Sequence, residues 1–506
     1  MRPFRQFSVV VLAAYTMVIV VPVFAFLVSA VRGGINAATW TELWRQAVRT
    51  NLLGHSLLLA TLTTAAATLL GVPLGFLLAR TDVAARRLLT MLCAAPLFLP
   101  PFLWATAWQA ALRAHWLSGW GGAVFVMTVA LFPLVALLAA VGFAHVSPAL
   151  EDDARTLTNE WGVFRHVSLP LARPLILTGA LLVFILTLSE FGVPALMQIN
   201  VYPVAVFTTF SAFYDFAQAA AMCLPFVVVA AMLAWLTHRV TRDVDFASLT
   251  EHWQARRVAL GVGRTVAGVV TFAALGVAVG VPLTALIREA GTSHFWQDAS
   301  EPLLRSLLLA AMGATALSLG GLLVAWLCQR GYARGGAWLL NGQVLLFALP
   351  STIVGLGLVS LWNRPALGWL YGTTAMIVLG YAGRFAPLVV RAFGAFLSQV
   401  PRECEEAIWL DGGGVGATFW HFILPVSSRA LAALWALSFV LCVGELATTI
   451  LVAPAGVQTL AVRLFTIEAN APHARTAALA LVLAGICLAP LAAWTVINQN
   501  RERSLS

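Results

Sequence analysis

Residues 151–170 read EDDARTLTNEWGVFRHVSLP, and residues 406–425 read EAIWLDGGGVGATFWHFILP. Both are polar islands that end abruptly in Leu-Pro. The chain around them has 506 residues, is 60% hydrophobic and only 10% charged, and has a mean hydropathy of +0.89. A soluble globule carries about a quarter charged residues. The deficit points to lipid as the solvent. A helix needs about 20 apolar residues to cross a bilayer. Segments of that kind cover about 7–30, 53–79, 88–112, 121–143, 174–197, 217–238, 260–287, 303–328, 337–361, 370–395, 428–452 and 475–496. Backbone in lipid must be helical or a closed barrel, and the short alternating segments of a barrel are absent. The expected fold class is an all-α polytopic membrane protein with about 12 transmembrane helices in two parallel six-helix repeats.

The repeat is read from a constant spacing. HSLLLA at 55–60 answers RSLLLA at 305–310, GVPLGFLLAR at 71–80 answers GLLVAWLCQR at 321–330, and LPP at 99–101 answers LPS at 349–351, each 250 residues on. LSEFGVPAL at 188–196 then faces VGELATTIL at 443–451, and the two polar islands face each other, at an offset of 255. Six spans per half is an even number, so the halves share one topology and are expected to pack about an axis along the membrane normal. The sequence divides into a first six-helix unit at 1–240 (core about 52–240), a cytoplasmic linker at 241–258, and a second unit at 259–506 (core about 303–498). The N-terminal apolar run exceeds the roughly 7–15 residues of a signal peptide core, so it reads as a first membrane anchor.

Arginine sets the orientation. One side holds Arg80, Arg86, Arg87, Arg155, Arg165, Arg173, Arg239, Arg242, Arg256, Arg257 and Arg330, among others; the opposite side holds about half as many, including Arg32, Arg45, Arg49, Arg113 and Arg364. The Arg-rich side is expected to be cytoplasmic, which puts both termini and both polar islands there. The net charge of +9 then needs no nucleic acid. The six cysteines are scattered and read as buried hydrophobes rather than a disulfide framework or a metal site.

The first island has the make-up of a short surface helix. Pro148 suits a first turn, and Glu151, Asp152 and Asp153 suit the positive end of the helix dipole. Ala154, Leu157, Trp161, Phe164 and Val167 recur at spacings of three and four, predicting one apolar stripe. In the second island the stripe is Trp409, Gly412, Gly416, Phe419 and Phe422. Pro170 and Pro174 are expected to stop the helix and let the next span start at a new angle. An interfacial helix lying on lipid usually presents Lys and Arg. The acidic first turn favours docking to a cytosolic protein.

These residues resemble the cytoplasmic EAA loop, Glu-Ala-Ala-x3-Gly-x9-Ile-x-Leu-Pro, of binding-protein-dependent ABC importer permeases. The second island supplies Glu406, Ala407, Gly412, Leu424 and Pro425 in register, with Ile408 for the second Ala and Phe422 for the Ile. The first supplies Glu151, Leu169 and Pro170, with Asp152 and Asp153 for the two Ala, Leu157 for the Gly and Val167 for the Ile. A one-residue shift aligns Asp152, Ala154 and Thr158 instead, at the expense of the Leu-Pro spacing. The resemblance covers nearly the whole chain and is greatest for the iron(III) branch of fused two-unit permeases. It implies two separate cytoplasmic ABC ATPase subunits facing Glu151 and Glu406, a periplasmic solute-binding protein, and a multi-pass place in a bacterial inner membrane. It also implies outer docking at Trp40–Arg49, Tyr202–Asp215 and Phe465–Arg475. Thiamine, aminoethylphosphonate and polyamine permeases are alternatives for the cargo.

The chain has no Lys, so it cannot carry the P-loop that cradles phosphates. No cofactor is expected on this chain, ATP and Mg belonging to the partner, and no metal site or catalytic residue is expected. Charges inside lipid default to functional candidates. Glu190, its repeat partner Glu445, and Arg384, which has no first-half counterpart, are the candidates for a translocation pathway. The competing reading is that the glutamates fix helix packing through Arg384 or backbone groups. A secondary transporter driven by an ion gradient would also show repeats and midplane acids. It would not need paired docking loops. The Leu-Pro pairs at 99–101 and 349–350 are expected to kink the third span of each half.

Overall fold

Proline takes the donor from the carbonyl four residues back; in this protein some helices run through their prolines, as Leu52–Arg80 does at Pro73 and Trp120–Ala144 at Pro133, while others widen or break. The computed structural model describes residues 2–32, 51–112, 117–213, 216–241, 257–291, 296–332, 335–468 and 472–505. Among them nine helices are long and apolar enough to cross a membrane, and three bent helix pairs raise the number to twelve. The third span of each half is not kinked but broken. Arg86–Phe98 meets Pro101–Leu112 at 102°, and Gly336–Ala348 meets Ser351–Trp362 at 106°. Arg45, Arg49, Arg113, Arg242 and Arg256, the Trp40–Arg49 loop, and linker residues 242–256 lie outside the described residues.

The described chain forms two compact units that interleave in sequence. One, the N-loop unit, comprises Trp44–Ala205, Met232–Ala299 and Arg463–Ser506 and contains the first island. The other, the C-loop unit, comprises Met1–Leu43, Val206–Ala231 and Ser300–Val462 and contains the second. Gly263–Ala290, the first helix of the second sequence repeat, therefore packs on Pro101–Leu112 and His473–Leu505 in the N-loop unit. Val21–Arg32, from the first repeat, packs on Ser351–Trp362 in the C-loop unit.

The N-loop unit is built on Leu52–Arg80, Trp120–Ala144 and Leu169–Ser189, which pack on one another. Apolar burial cannot drive helix association in lipid, so small residues that let backbones approach matter most. A methyl group added at Gly75 would stand 2.5 Å from the Ala136 carbonyl oxygen, and one at Gly71 would stand 2.8 Å from Val135 Cβ. The C-loop unit repeats this contact with Gly321 against Val389 Cγ1, also at 2.8 Å.

Repeated sequence makes repeated bonds. Ser56, in HSLLLA, accepts from the Tyr202 N–H at 2.8 Å, and Ser306, in RSLLLA, accepts from the Leu460 N–H at 2.6 Å. The two expected outer loops thus begin as anchored helices, Tyr202–Phe213 and Leu460–Glu468. Each broken third span has its freed carbonyls served by a side chain. Trp104 Nε1 donates to Pro96 O at 3.2 Å. Arg384 Nη1 donates to Leu349 O at 2.6 Å and Phe347 O at 3.2 Å. The end of the linker docks at the close of Leu52–Arg80: Val258 N donates to Arg80 O at 2.7 Å and Leu260 N to Asp82 Oδ1 at 2.9 Å.

Candidate coupling site

The first island is two short helices, not one. Pro148–Arg155 ends, and Asn159 restarts the chain by accepting the Gly162 N–H on its side-chain oxygen at 2.9 Å, capping Glu160–Val163. A new cap resets the helical phase, so the expected single stripe does not exist. Phe164 turns inward onto Phe76, with ring centroids 5.1 Å apart. Leu157 and Trp161 turn outward and are 88% and 67% exposed.

Leu-Pro does not end the helix here either. Pro170 has no N–H for the carbonyl of His166, and the chain responds with a wider π-turn at Phe164–Ser168, in which the Leu169 N–H reaches Phe164 O. The helix then runs on, so that Glu160–Ser189 is one continuous span. The second island makes the same π-turn at Phe419–Ile423, with Leu424 N–H on Phe419 O. There the chain does turn: Val415–Val426 and Ser428–Val443 meet at 75°. The expectation for Pro170 and Pro174 thus fails in the first copy, where Pro174 lies inside the continuous helix Leu169–Ser189, and only the second copy changes direction.

Under each island lies a buried ion pair. Glu151 is 1% exposed; it pairs with Arg80 Nη2 through Oε2 and accepts from Ser168 Oγ at 2.7 Å through Oε1. Arg155 staples the two short helices from outside, to Asp152 Oδ1 at 2.6 Å and Glu160 Oε1 at 2.7 Å. In the second island the carboxylate in this position is Glu405, not Glu406. Glu405 is 1% exposed and receives Arg330 Nε at 2.6 Å, Trp326 Nε1 at 3.0 Å and Tyr332 OH at 3.2 Å. Burial, and then the charge of Glu405, hold the Tyr332 phenol above its ordinary range, so it remains a donor.

Glu406 and Ala407 are exposed, and Gly412 is exposed in the left-handed region at φ +82°. That conformation suits glycine and closes the Glu403–Leu410 helix. Leu410 beside it is 89% exposed. In the first island Asp152, Asp153 and Pro170 are exposed and Leu169 is half-buried; in the second, Leu424 is half-buried and Pro425 exposed. The glutamate expected to face a partner is therefore turned inward in the first copy. The outward surface is made by Leu157, Trp161, Leu410 and Trp420.

Sequence reasoning missed the residues that complete the struts: Arg80, Ser168, Trp326, Arg330, Glu405 and Tyr332. The signal was present. Both copies of the GVPLGFLLAR/GLLVAWLCQR segment end in Arg at the close of a long apolar run.

Of the three pathway candidates, Glu190 and Glu445 sit at helix breaks and Arg384 lies within the unbroken helix Ala375–Leu397. Glu190 ends Leu169–Ser189 and accepts from Gly192 N at 3.0 Å and Val193 N at 3.4 Å, capping Gly192–Leu196. Glu445 does the same for Ala447–Val452 through Thr448 N at 3.1 Å, and its Oε2 is buried without a hydrogen-bond partner. Arg384 serves the broken third span of the C-loop unit, as described, and its guanidinium lies 5.5 Å from the Phe347 ring centre. Among the described residues no group of three or more His, Cys, Asp or Glu could hold a metal ion.

Residues 71–245 match the family described as binding-protein-dependent transport system inner membrane component. The chain is 23% identical to a ferric transport system permease protein of Actinobacillus pleuropneumoniae over 353 residues, 64% of this chain and 51% of that protein. It is 23% identical to an Fe(3+)-transport system permease protein of Haemophilus influenzae over 447 residues, 85% of this chain and 87% of that one. A probable sulfate transport system permease protein of Zygnema circumcarinatum is 32% identical over 191 residues, 34% of this chain and 66% of that protein. The chain spans about half the length of the first two ferric permeases it matches, 51% and 55%.

Proposed function

From the premise that residues 71–245 belong to the binding-protein-dependent transport system inner membrane components, we propose that the chain is the membrane permease of an ATP-driven importer. Two separate cytoplasmic ATPase subunits dock on the two islands, and a periplasmic binding protein delivers the solute at the opposite face. The observation that carries this reading is the matched pair of buried struts, Arg80–Glu151 and Arg330–Glu405. Each braces a short surface helix against the end of a long apolar one. A push on Leu157 and Trp161, or on Leu410 and Trp420, then moves a rigid span rather than a loose loop.

The cycle is alternating access. A loaded binding protein docks outside, ATP closes the ATPase pair, the islands carry the spans with them, and hydrolysis resets the inward state. The chain itself hydrolyses nothing in this scheme. It lies in the bacterial inner membrane with both termini cytoplasmic. Iron(III) is the cargo favoured by the ferric relative aligned over 85% of the chain, and an oxyanion is the alternative favoured by the sulfate relative. Glu190 and Glu445 are the candidates for pathway residues, each at a helix break in its own unit where a small rotation changes what a passage meets.

Uptake into liposomes tests the function. Entry is expected to require ATP and a separate ATPase; uptake by the chain alone on an ion gradient would return it to the secondary transporters. In the same vesicles Glu190→Gln and Glu445→Gln are each expected to cut uptake about tenfold, a loss of about 1.4 kcal/mol. Near-normal uptake in both variants would remove the two glutamates from the pathway.

A further inference from the structure

The two sequence repeats treat one place beside the long helix differently. In the C-loop unit the place is filled. Trp435 lays its indole against Phe439, with ring centroids 5.4 Å apart and planes 12° from parallel, and its Nε1 donates to Thr315 Oγ1 at 3.0 Å. A tryptophan away from water needs such a partner for its N–H. Thr315 is set up to accept, because its own hydroxyl proton goes to Ala311 O at 2.8 Å, the bond back by one turn that helical threonines make.

In the N-loop unit the filler is missing. The offset of 255 that sets Glu190 on Glu445 also sets Phe184 on Phe439 and Ala180 on Trp435; the offset of 250 sets Ala65 on Thr315. The aromatic platform is kept and the indole is not. A cavity of about 650 Å³ stands there, with Thr61, Ala65, Leu69, Val72 and Phe184 on its wall and no charged side chain. That is the size of a small-molecule site. Thr61, Ala65 and Leu69 are exposed along a membrane span, so the cavity is reached from the bilayer. The acceptor has moved one turn rather than vanished. Thr61 Oγ1 donates to Leu57 O at 2.7 Å, which leaves it a lone pair to accept with, as Thr315 does for Trp435.

We propose that this groove binds a flat, membrane-dissolved ring compound carrying an N–H or O–H donor, in the place that Trp435 fills in the other unit. The ring lies on Phe184 across Ala65, and its donor reaches Thr61 Oγ1. The small side chain of Ala180 is what admits it. An acyl chain can occupy the same space but cannot make that bond. The site involves neither the ATPase nor the cargo and stands apart from the transport reading.

The full chain in liposomes, photolabelled with an azidoindole and mapped by mass spectrometry, tests this. Label is expected within residues 61–72 or at Phe184, and excess indole is expected to suppress it. 1-Methylindole, which has no donor, is expected to compete about fivefold less well, the worth of one hydrogen bond. Thr61→Val is expected to keep the label and erase that preference. Ala180→Trp supplies the missing indole and is expected to abolish labelling. Trp435→Ala opens the matching place and is expected to add label near Thr315 and Phe439, so the proposal stays decidable if Ala180→Trp does not fold. Labelling unchanged in Ala180→Trp, or no new label in Trp435→Ala, overturns the proposal. So does labelling of the groove by a photoreactive fatty acid that excess indole fails to displace, which would make it a seat for an acyl chain only.

Discussion

Arg80→Met is expected to remove most of the folded, transport-competent protein, whereas Arg155→Met leaves yield and uptake within about twofold. Both arginines lie within reach of Glu151, but their surroundings differ. Arg80 is buried, and its guanidinium serves Glu151 and, at 3.5 Å, the Phe143 carbonyl. Its loss leaves the Glu151 carboxylate buried with Ser168 as its close donor. Breaking a buried pair by removing one partner costs about 3–5 kcal/mol, while an exposed pair contributes about 0–1 kcal/mol. Arg155 reaches Asp152 and Glu160 at the surface, where water and salt screen it. The double variant Arg80→Met/Glu151→Leu removes the stranded charge and is expected to recover most of the yield. Folded yield by size-exclusion chromatography and uptake in liposomes are the readouts. Equal damage from the two single variants would show that the buried pair is not what braces the island.

The second large effect separates two neighbouring glutamates. Glu405→Gln is expected to lower ATP-driven uptake at least tenfold, about 1.4 kcal/mol or more, while Glu406→Gln stays near the parent. Glu405 meets three donors inside the protein, from Arg330, Trp326 and Tyr332. Glutamine keeps the shape but loses the charge, and it turns an amide N–H₂ toward groups that are themselves donors. Glu406 faces solvent. Because the Tyr332 phenol is held above its ordinary range, the strut should keep its three donors from neutral pH through about pH 9. Uptake normalised to ATPase activity is then expected to show no loss over that window that can be traced to Tyr332.

That contrast also marks how far the sequence could be read. The membrane class and the twelve segments were legible, because lipid imposes a length and a composition on every span. The breaks were legible only as proline positions: Pro100, Pro101 and Pro350 mark where, but not that the chain would turn through 102° and 106°. The islands were found and their helices partly misread. Periodicity counts through a cap, so Asn159 ended a stripe that spacing alone carried on. The offset of 255 placed Glu151 on Glu406. Yet the long-helix arginines are 250 apart, and the second strut uses Glu405. The one-residue shift, which sets Asp152 on Glu406 and so Glu151 on Glu405, matches the buried carboxylates, whereas the Leu-Pro spacing favoured the other register. Glu190 and Glu445 were legible as a matched pair. Their role as caps on short helices was not, because a break in the middle of an apolar run leaves no mark in hydropathy.

If the outward faces of the two islands are seats for separate ATPase subunits, those subunits lie within reach of the exposed apolar residues there. Site-specific photo-cross-linking tests it most directly, with a photoreactive residue placed at Leu157 or at Leu410, the most exposed apolar position of each island. Each is expected to capture a nucleotide-binding ATPase subunit, and capture is expected to change when ATP is added. Absence of any ATPase cross-link at both positions, in a preparation that still takes up solute, would contradict it.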